Sequence, residues 1–210
     1  MIPKNIIHIW PGSDLFRYPE WRMSWMKYHP DWTFYFFRLD NLPFNKLLDS
    51  TKEIINNNHI SYIIKSDILR LDIIRILGGI FVCSDMECMC SFNEFLKHSS
   101  FCGIGVKKPC NALFGAEPEN ELITNAAITV GKNVLFNIEQ ACSSYDGIME
   151  STGSRAIRPF LEDMEKVYDS YFFYKKETNK KSYSIHHWTN GRPGGWTWLL
   201  KNVLINKEVI

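Results

Sequence analysis

Lys65-Ser66-Asp67-Ile68-Leu69-Arg70-Leu71-Asp72-Ile73-Ile74-Arg75-Ile76-Leu77-Gly78-Gly79-Ile80-Phe81-Val82-Cys83-Ser84-Asp85-Met86-Glu87 is the stretch whose reading decides the fold. Its first half belongs to a long apolar helix predicted over Ile60–Leu77. Gly78-Gly79 closes that helix, because glycine tolerates the backbone conformations that end helices. Ile80–Ser84 then reads as a short buried strand, followed by an acidic turn.

The same alternation extends in both directions. Asn5–Trp10 reads as a buried strand ending at the turn Pro11-Gly12. Glu20–Tyr28 is predicted helical and stops before His29-Pro30, since the residue before proline avoids the helical region. Thr33–Arg38 is a second strand, and a helix follows over Phe44–Asn56, broken by Asn56-Asn57-Asn58. Downstream, strand-like pieces lie at Phe101–Val106, Ala112–Gly115 and Ser182–Trp188. Helices are predicted over Glu119–Val130 and Ser154–Val167, and the loop Gly191–Gly195 leads into a last one. Strands alternating with helices predict an α/β fold with a mainly parallel central sheet flanked by helices. With 45% hydrophobic residues in 210, one domain over residues 1–210 is expected.

Composition narrows the function classes. A net charge of +1 argues against a general nucleic-acid-binding surface. No apolar run reaches the length of a membrane span. The N-terminal Met-Ile-Pro-Lys-Asn-Ile-Ile-His lacks the pattern of a signal peptide. The six cysteines (83, 88, 90, 102, 110, 142) show no Cys-x-x-Cys spacing, so free thiols and a cytoplasmic location are expected. Cys88 and Cys90 alone do not make a zinc site. Seven tryptophans gather at residues 10, 21, 25 and 32 and at 188, 196 and 198. They serve either as core or as rings lining a cleft for a base or sugar.

On the central helix Asp67 and Arg70 are three residues apart and share a face, while Lys65 and Asp72 fall roughly opposite. One polar face can meet solvent; the other needs a reason. An exposed Asp–Arg pair, worth little, and a hydroxyl-binding pair beside a cleft both fit this spacing. If the strand persists past Ser84, Cys83, Asp85 and Glu87 point the same way. Two carboxylates at the C-terminal end of a parallel strand suit Mg²⁺ or Mn²⁺ and sit where open α/β sheets bind ligands. An ordinary acidic loop fits the spacing as well.

Taken together, these residues resemble the glycosyltransferases with a DXD sugar-binding motif, relatives of the yeast initiating α-1,6-mannosyltransferases and, more distantly, of the clostridial glucosylating toxins. The resemblance is carried by Ile2-Pro3-Lys4-Asn5-Ile6-Ile7-His8-Ile9-Trp10, Ser66-Asp67 with Arg70, Gly78-Gly79-Ile80-Phe81 with Asp85, His186-His187-Trp188 and Gly195-Trp196, in the family's order. The Asn, Ile and Lys usage also resembles glycosyltransferases of large algal DNA viruses, among them the N-terminal domain of a longer chlorella-virus enzyme, and so viral glycosylation. The resemblance implies a GT-A fold, Rossmann-like, and a retaining hexosyltransferase using Mn²⁺ or Mg²⁺. Its donor would be a nucleotide sugar, UDP-linked, and its acceptor a glycan or glycoprotein hydroxyl. Ile7, His8, Ile9 and Trp10 would border the base and ribose. Asp67 and Arg70 would hold donor-sugar hydroxyls, with Asn111 and the Glu150-Ser151-Thr152-Gly153 turn near the sugar. Asp85 would ligate the metal, with Ser84 beside it in the donor site. His186 would be the second ligand, with His187 as the alternative and Glu87 in indirect contact. Trp196 would close over the diphosphate.

The sequence departs from the family pattern at Cys83, which stands where the first Asp of DXD is expected, and at Gly195, which replaces a serine. Cysteine is a poor partner for a hard cation unless ionised. The substitution therefore keeps open a catalytically silent nucleotide-sugar-binding module. A nucleotide-sugar hydrolase, with water as acceptor, is a third reading.

Overall fold

The computed structural model describes residues 1–12, 18–174 and 179–188. The expected loop at Gly191–Gly195, the final helix and Trp196 lie outside them.

In chain order the elements are β1 (Asn5–Ile9), α1 (Pro19–Tyr28), β2 (Thr33–Phe37), α2 (Asp49–Asn56), α3 (Tyr62–Leu77), β3 (Gly79–Val82), β4 (Met86–Cys88), β5 (Ser100–Ile104) and β6 (Pro109–Ala116). They continue with α4 (Glu121–Phe136), α5 (Ile138–Ser143), α6 (Tyr145–Ser151), α7 (Ser154–Glu162), β7 (Lys166–Tyr168), α8 (Ser170–Phe173) and β8 (Ser184–His186). Six strands form the central sheet in the order β2-β1-β3-β6-β5-β7, and β4 pairs with β8 in a separate ribbon. β1 runs parallel to β2 and β3, β6 runs antiparallel to both β3 and β5, and β7 is parallel to β5. All strands of the sheet therefore share one direction except β6. This is the mainly parallel α/β sheet expected.

Strand alternation splits the core in two. Ile7, Ile9 and Phe81 face the layer of α2, α3, α4 and α7, together with Phe114 and Leu161. Ile6, Ile80 and Val82 face the other side, with Trp25, Phe92, Phe95, Phe101 and Phe173. Both sheet faces are covered, so β1 and β3 read as continuous apolar runs.

Helix α3 is set by its ends. The Ser61 hydroxyl accepts from Ile64 N–H at its N-cap. Gly78 takes φ +59° at its C-cap and Gly79 takes φ +120°. A Cβ on Gly78 would stand 2.6 Å from Pro118 Cδ, and one on Gly79 the same distance from Asn5 Cβ. Both glycines therefore serve close packing as well as the turn.

The expectation that one polar face of this helix meets solvent is overturned. Lys65 and Asp72 are buried like Asp67 and Arg70. Lys65 Nζ donates to Ile55 O (2.8 Å), Asp72 Oδ2 accepts from Leu48 N–H (2.8 Å), and Asp72 Oδ1 pairs with Arg75 (2.8 Å). The second polar face thus ties α2 to the core, because a helix covered on all sides satisfies its polar groups internally.

Other boundaries shift for local reasons. The helix expected over Phe44–Asn56 divides into a 3-10 turn at Phe44–Lys46 and α2. The helix expected to run to Val167 stops at Glu162, and Lys166–Tyr168 joins the sheet edge as β7. The acidic turn after β3 leads directly into β4, whose outer edge is held by α1. Trp25 Nε1 donates to Met86 O (2.9 Å), and Cys88 N–H donates to Ser24 Oγ (2.8 Å). These two bonds satisfy backbone groups that β8 does not reach.

Candidate functional site

The C-terminal end of β3 is the centre of the site, with α3 on one side and the β4–β8 ribbon beyond it. Asp67 pairs with Arg70 Nη2 at 2.8 Å, and their side chains are only 7% and 9% exposed. The exposed-pair explanation of this spacing is thereby excluded. Thr152 Oγ1, just past α6, donates to Asp67 Oδ2 (3.0 Å), and Asn111 Nδ2, on β6, donates to Oδ1 (3.5 Å). Arg70 Nη1 donates to Asn111 O (3.0 Å), Nη2 also reaches Ser66 Oγ (3.4 Å), and the guanidinium lies 4.5 Å from the Phe81 ring centre. Burial raises the Asp67 carboxyl above its ordinary value, opposed by Arg70 and by the Thr152 hydrogen bond. The four polar residues that the family pattern associates with the sugar thus meet in one buried knot.

That knot is nearly self-satisfied. Arg70 has five N–H donors, and four are used by Ser66, Asn111 and Asp67. Asp67 keeps about one free lone-pair direction, on Oδ2. Among the described residues one donor of Arg70 and one acceptor position of Asp67 remain, which is what a pair of neighbouring hydroxyls needs.

A second cluster joins Cys83, Asp85 and His186, whose candidate ligand atoms lie within 4.8 Å of one another. β3 does not persist to Asp85. The chain turns, with Met86 N–H donating to Cys83 O, and this turn brings Cys83 and Asp85 together in place of strand alternation. His186 arrives on β8, opposite Met86, and its Nε2 lies 2.9 Å from Asp85 Oδ1. Burial, then the Asp85 charge, pushes the Cys83 thiol far above its ordinary value, so without a metal it is a neutral S–H. Arg70 also acts electrostatically on Cys83, which links the two clusters.

Glu87 does not join this group. It pairs with His187 Nε2 at 3.0 Å, and the His187 ring stacks flat on Trp21 (4.1 Å, 2°). The two histidines divide as alternation predicts, one to each acid. Trp21 and Phe81 were not marked as site residues by the sequence. The early tryptophan cluster was the available signal for Trp21, but its register against β8 lies in the tertiary packing. Of that cluster, Trp25 and Trp32 are core.

At the β1 edge, Ile7 and Ile9 point into the core, and His8 is 3% exposed. Of the four residues expected to border the base, only Trp10 keeps a half-buried side chain at the strand end. Ser84 is half-buried in the β3–β4 turn. Burial, with Arg22 adding to it, lowers the His8 imidazole to about 3. An unfolded histidine takes up its proton near pH 6.5, so stability is full above that pH and falls as the pH drops from about 6.5 towards 3. Urea midpoints of the protein should fall over this window, and His8→Phe should flatten the dependence. An unchanged slope in the variant would assign the acid sensitivity elsewhere.

A mainly parallel sheet with a polar knot and an acid–histidine pair at the C-terminal edge of β3 places the site where open α/β folds bind ligands, outside the strand ends. Comparison with known proteins agrees. Residues 13–102 match the family described as glycosyltransferase sugar-binding region containing DXD motif. Among solved structures the chain is similar to the PaToxG glycosyltransferase, with 14% identity, a TM-score of 0.56, and coverage of 76% of this chain and 69% of that one. It also matches a glycosyltransferase involved in glycosylation of the major capsid of PBCV-1, with 12% identity, a TM-score of 0.49, and coverage of 88% and 93%. No curated protein sequence matches. The fold is of the GT-A type, and the match over residues 13–102 supports a glycosyltransferase enzyme. Among the described residues no helix is long and apolar enough to cross a membrane.

Proposed function

We propose that the chain, as one GT-A domain, transfers a sugar from a UDP-linked donor to a hydroxyl of a glycan or glycoprotein, with retention of anomeric configuration and with a divalent metal. The observation that carries this reading is the Asp67–Arg70–Asn111–Thr152 knot, which leaves one donor and one acceptor for sugar hydroxyls beside Asp85 and His186. A carboxylate and an imidazole fit a divalent cation. When bound, such an ion neutralises the charge that develops on the leaving diphosphate.

The protein residues do the rest. Asp67 and Arg70 orient the sugar, and Arg70 stays locked on Asp67 rather than swinging to the phosphates. Asp67, Asp85 and Glu87 are each engaged by a partner, so none stands ready as a nucleophile. This favours same-face attack, with a leaving phosphate oxygen taking the acceptor's proton. Cys83 favours one competing reading, a module that binds the donor without turnover.

The test is calorimetric titration with a panel of UDP-sugars, with and without divalent metal. It is followed by a transfer assay in which NMR reads the anomeric configuration. Metal-dependent binding, nucleotide release accelerated by acceptor, and retention are the expected results. Inversion would overturn the mechanism, and binding without turnover would establish the silent module. Release equally fast without an acceptor would establish a hydrolase.

A further inference from the structure

We infer that the cluster at the end of β3 is a mixed sulfur, oxygen and nitrogen site that selects zinc or cobalt over manganese and magnesium, with Cys83 as a direct ligand. This rests on the metal position of the proposed function and names the metal class.

Among the described residues, Cys83, Asp85 and His186 are the only three metal-binding side chains that close to within 4.8 Å of one another. Bonds of 2.0–2.3 Å in a tetrahedron put ligand atoms roughly 3.3–3.7 Å apart, so the widest separation closes by about 1 Å while the 2.9 Å Asp85–His186 contact opens slightly. Three protein ligands with the fourth position left to water or a phosphate oxygen is the pattern of catalytic zinc sites. Thiolate is a soft donor that favours zinc and cobalt, whereas magnesium and manganese favour oxygen alone.

Charge and burial point the same way. Asp85 is 2% exposed and His186 is 8% exposed. A divalent ion with one thiolate and one carboxylate is neutral, while the same ion on Asp85 alone leaves a net charge in a buried place. His186 Nε2 is the ring nitrogen that meets Asp85, and Nδ1 is buried with no hydrogen-bond partner among the described residues, so no other described group hydrogen-bonds the imidazole. On binding, the S–H bond breaks, a metal–sulfur bond forms, and the proton leaves to solvent. No oxidant or reductant is involved.

The experiment is titration of metal-stripped protein with Co²⁺, read by absorption, with Zn²⁺, Mn²⁺ and Mg²⁺ as competitors. The expected result is a near-ultraviolet thiolate-to-cobalt band with the visible bands of a tetrahedral site, displaced by Zn²⁺ and not by Mn²⁺ or Mg²⁺. Cys83→Ser should abolish the near-ultraviolet band. Cys83→Asp should narrow the preference for Zn²⁺ over Mn²⁺ by at least about tenfold, as exchange of a soft for a hard donor requires. Circular dichroism keeps misfolding of either variant distinct from metal loss. Absence of the band in the parent protein, its persistence in Cys83→Ser, or displacement by Mn²⁺ as readily as by Zn²⁺ would each overturn the inference. A cobalt band without sugar transfer from any donor would leave the inference standing and remove the transferase reading. Transfer without the band would do the reverse.

Discussion

Asp67→Ala should destabilise the protein by about 3–5 kcal/mol, because it leaves the Arg70 charge buried without its partner. That is a large fraction of the stability of an ordinary domain, about 5–15 kcal/mol. The loss has three parts in the structure. The 2.8 Å ion pair goes, the Thr152 hydroxyl loses its acceptor, and Asn111 loses the contact that ties β6 to α3. Asp67→Asn keeps one carbonyl acceptor for Arg70 and replaces the oxygen facing Thr152 with an NH2 donor, to which the Thr152 hydroxyl can offer its oxygen instead. It should cost clearly less stability while weakening donor binding, since the free lone pair proposed for a sugar hydroxyl sits on the carboxylate. Denaturant unfolding and donor calorimetry on the two variants separate the roles. An Asp67→Ala protein as stable as the parent would mean that Arg70 escapes to water and that the knot is not closed.

The Asp85→Ala variant should show the opposite division. Its turnover should fall about 1,000-fold, since Lewis-acid stabilisation of a leaving phosphate contributes several kcal/mol and each 1.36 kcal/mol is tenfold. Metal-dependent donor binding should vanish with it. Its stability should change far less than that of Asp67→Ala, because a buried carboxylate costs desolvation energy as well as gaining a histidine contact. Unfolding midpoints, metal titration and turnover read these separately. Turnover close to that of the parent would remove Asp85 from the metal site and return the acidic turn to an ordinary loop.

The two variants also test how the site is divided. Asp67 lies on α3 and is held by residues of β6 and the α6–α7 turn, while Asp85 lies in the β3–β4 turn and is held by β8. Arg70 and Cys83 are the link between them. Loss of sugar contacts alone should weaken the donor sugar more than UDP. Loss of the metal position should weaken both.

Much of this was legible in the chain. The long apolar run to Leu77, the two glycines and the strand after them place Asp67, Arg70 and Asp85 at one edge of a sheet, because helix and strand periodicities are local properties. The mainly parallel order follows from the same alternation. Thr152 and Asn111 could be associated with the sugar only through resemblance, and what the structure shows is that both donate to Asp67. The helix–strand division after Glu162 and the pairing of β4 were not legible. Both depend on which edge a short segment meets, and three-residue strands carry almost no periodic signal.

What the sequence determined by itself was the α/β class, the central helix–turn–strand and the residue types offered for chemistry. Tertiary structure alone decided which of them meet. His186 lies 101 residues from Asp85 and reaches it because β8 pairs with β4, while Glu87 is diverted to His187 and Trp21. It also decided that Lys65 and Asp72 are buried, since only packing against α2 determines whether a helix has a solvent face. The physical reason is one of range: backbone preferences act within a few residues, whereas burial and ion pairing are set by neighbours that only the folded chain brings into contact.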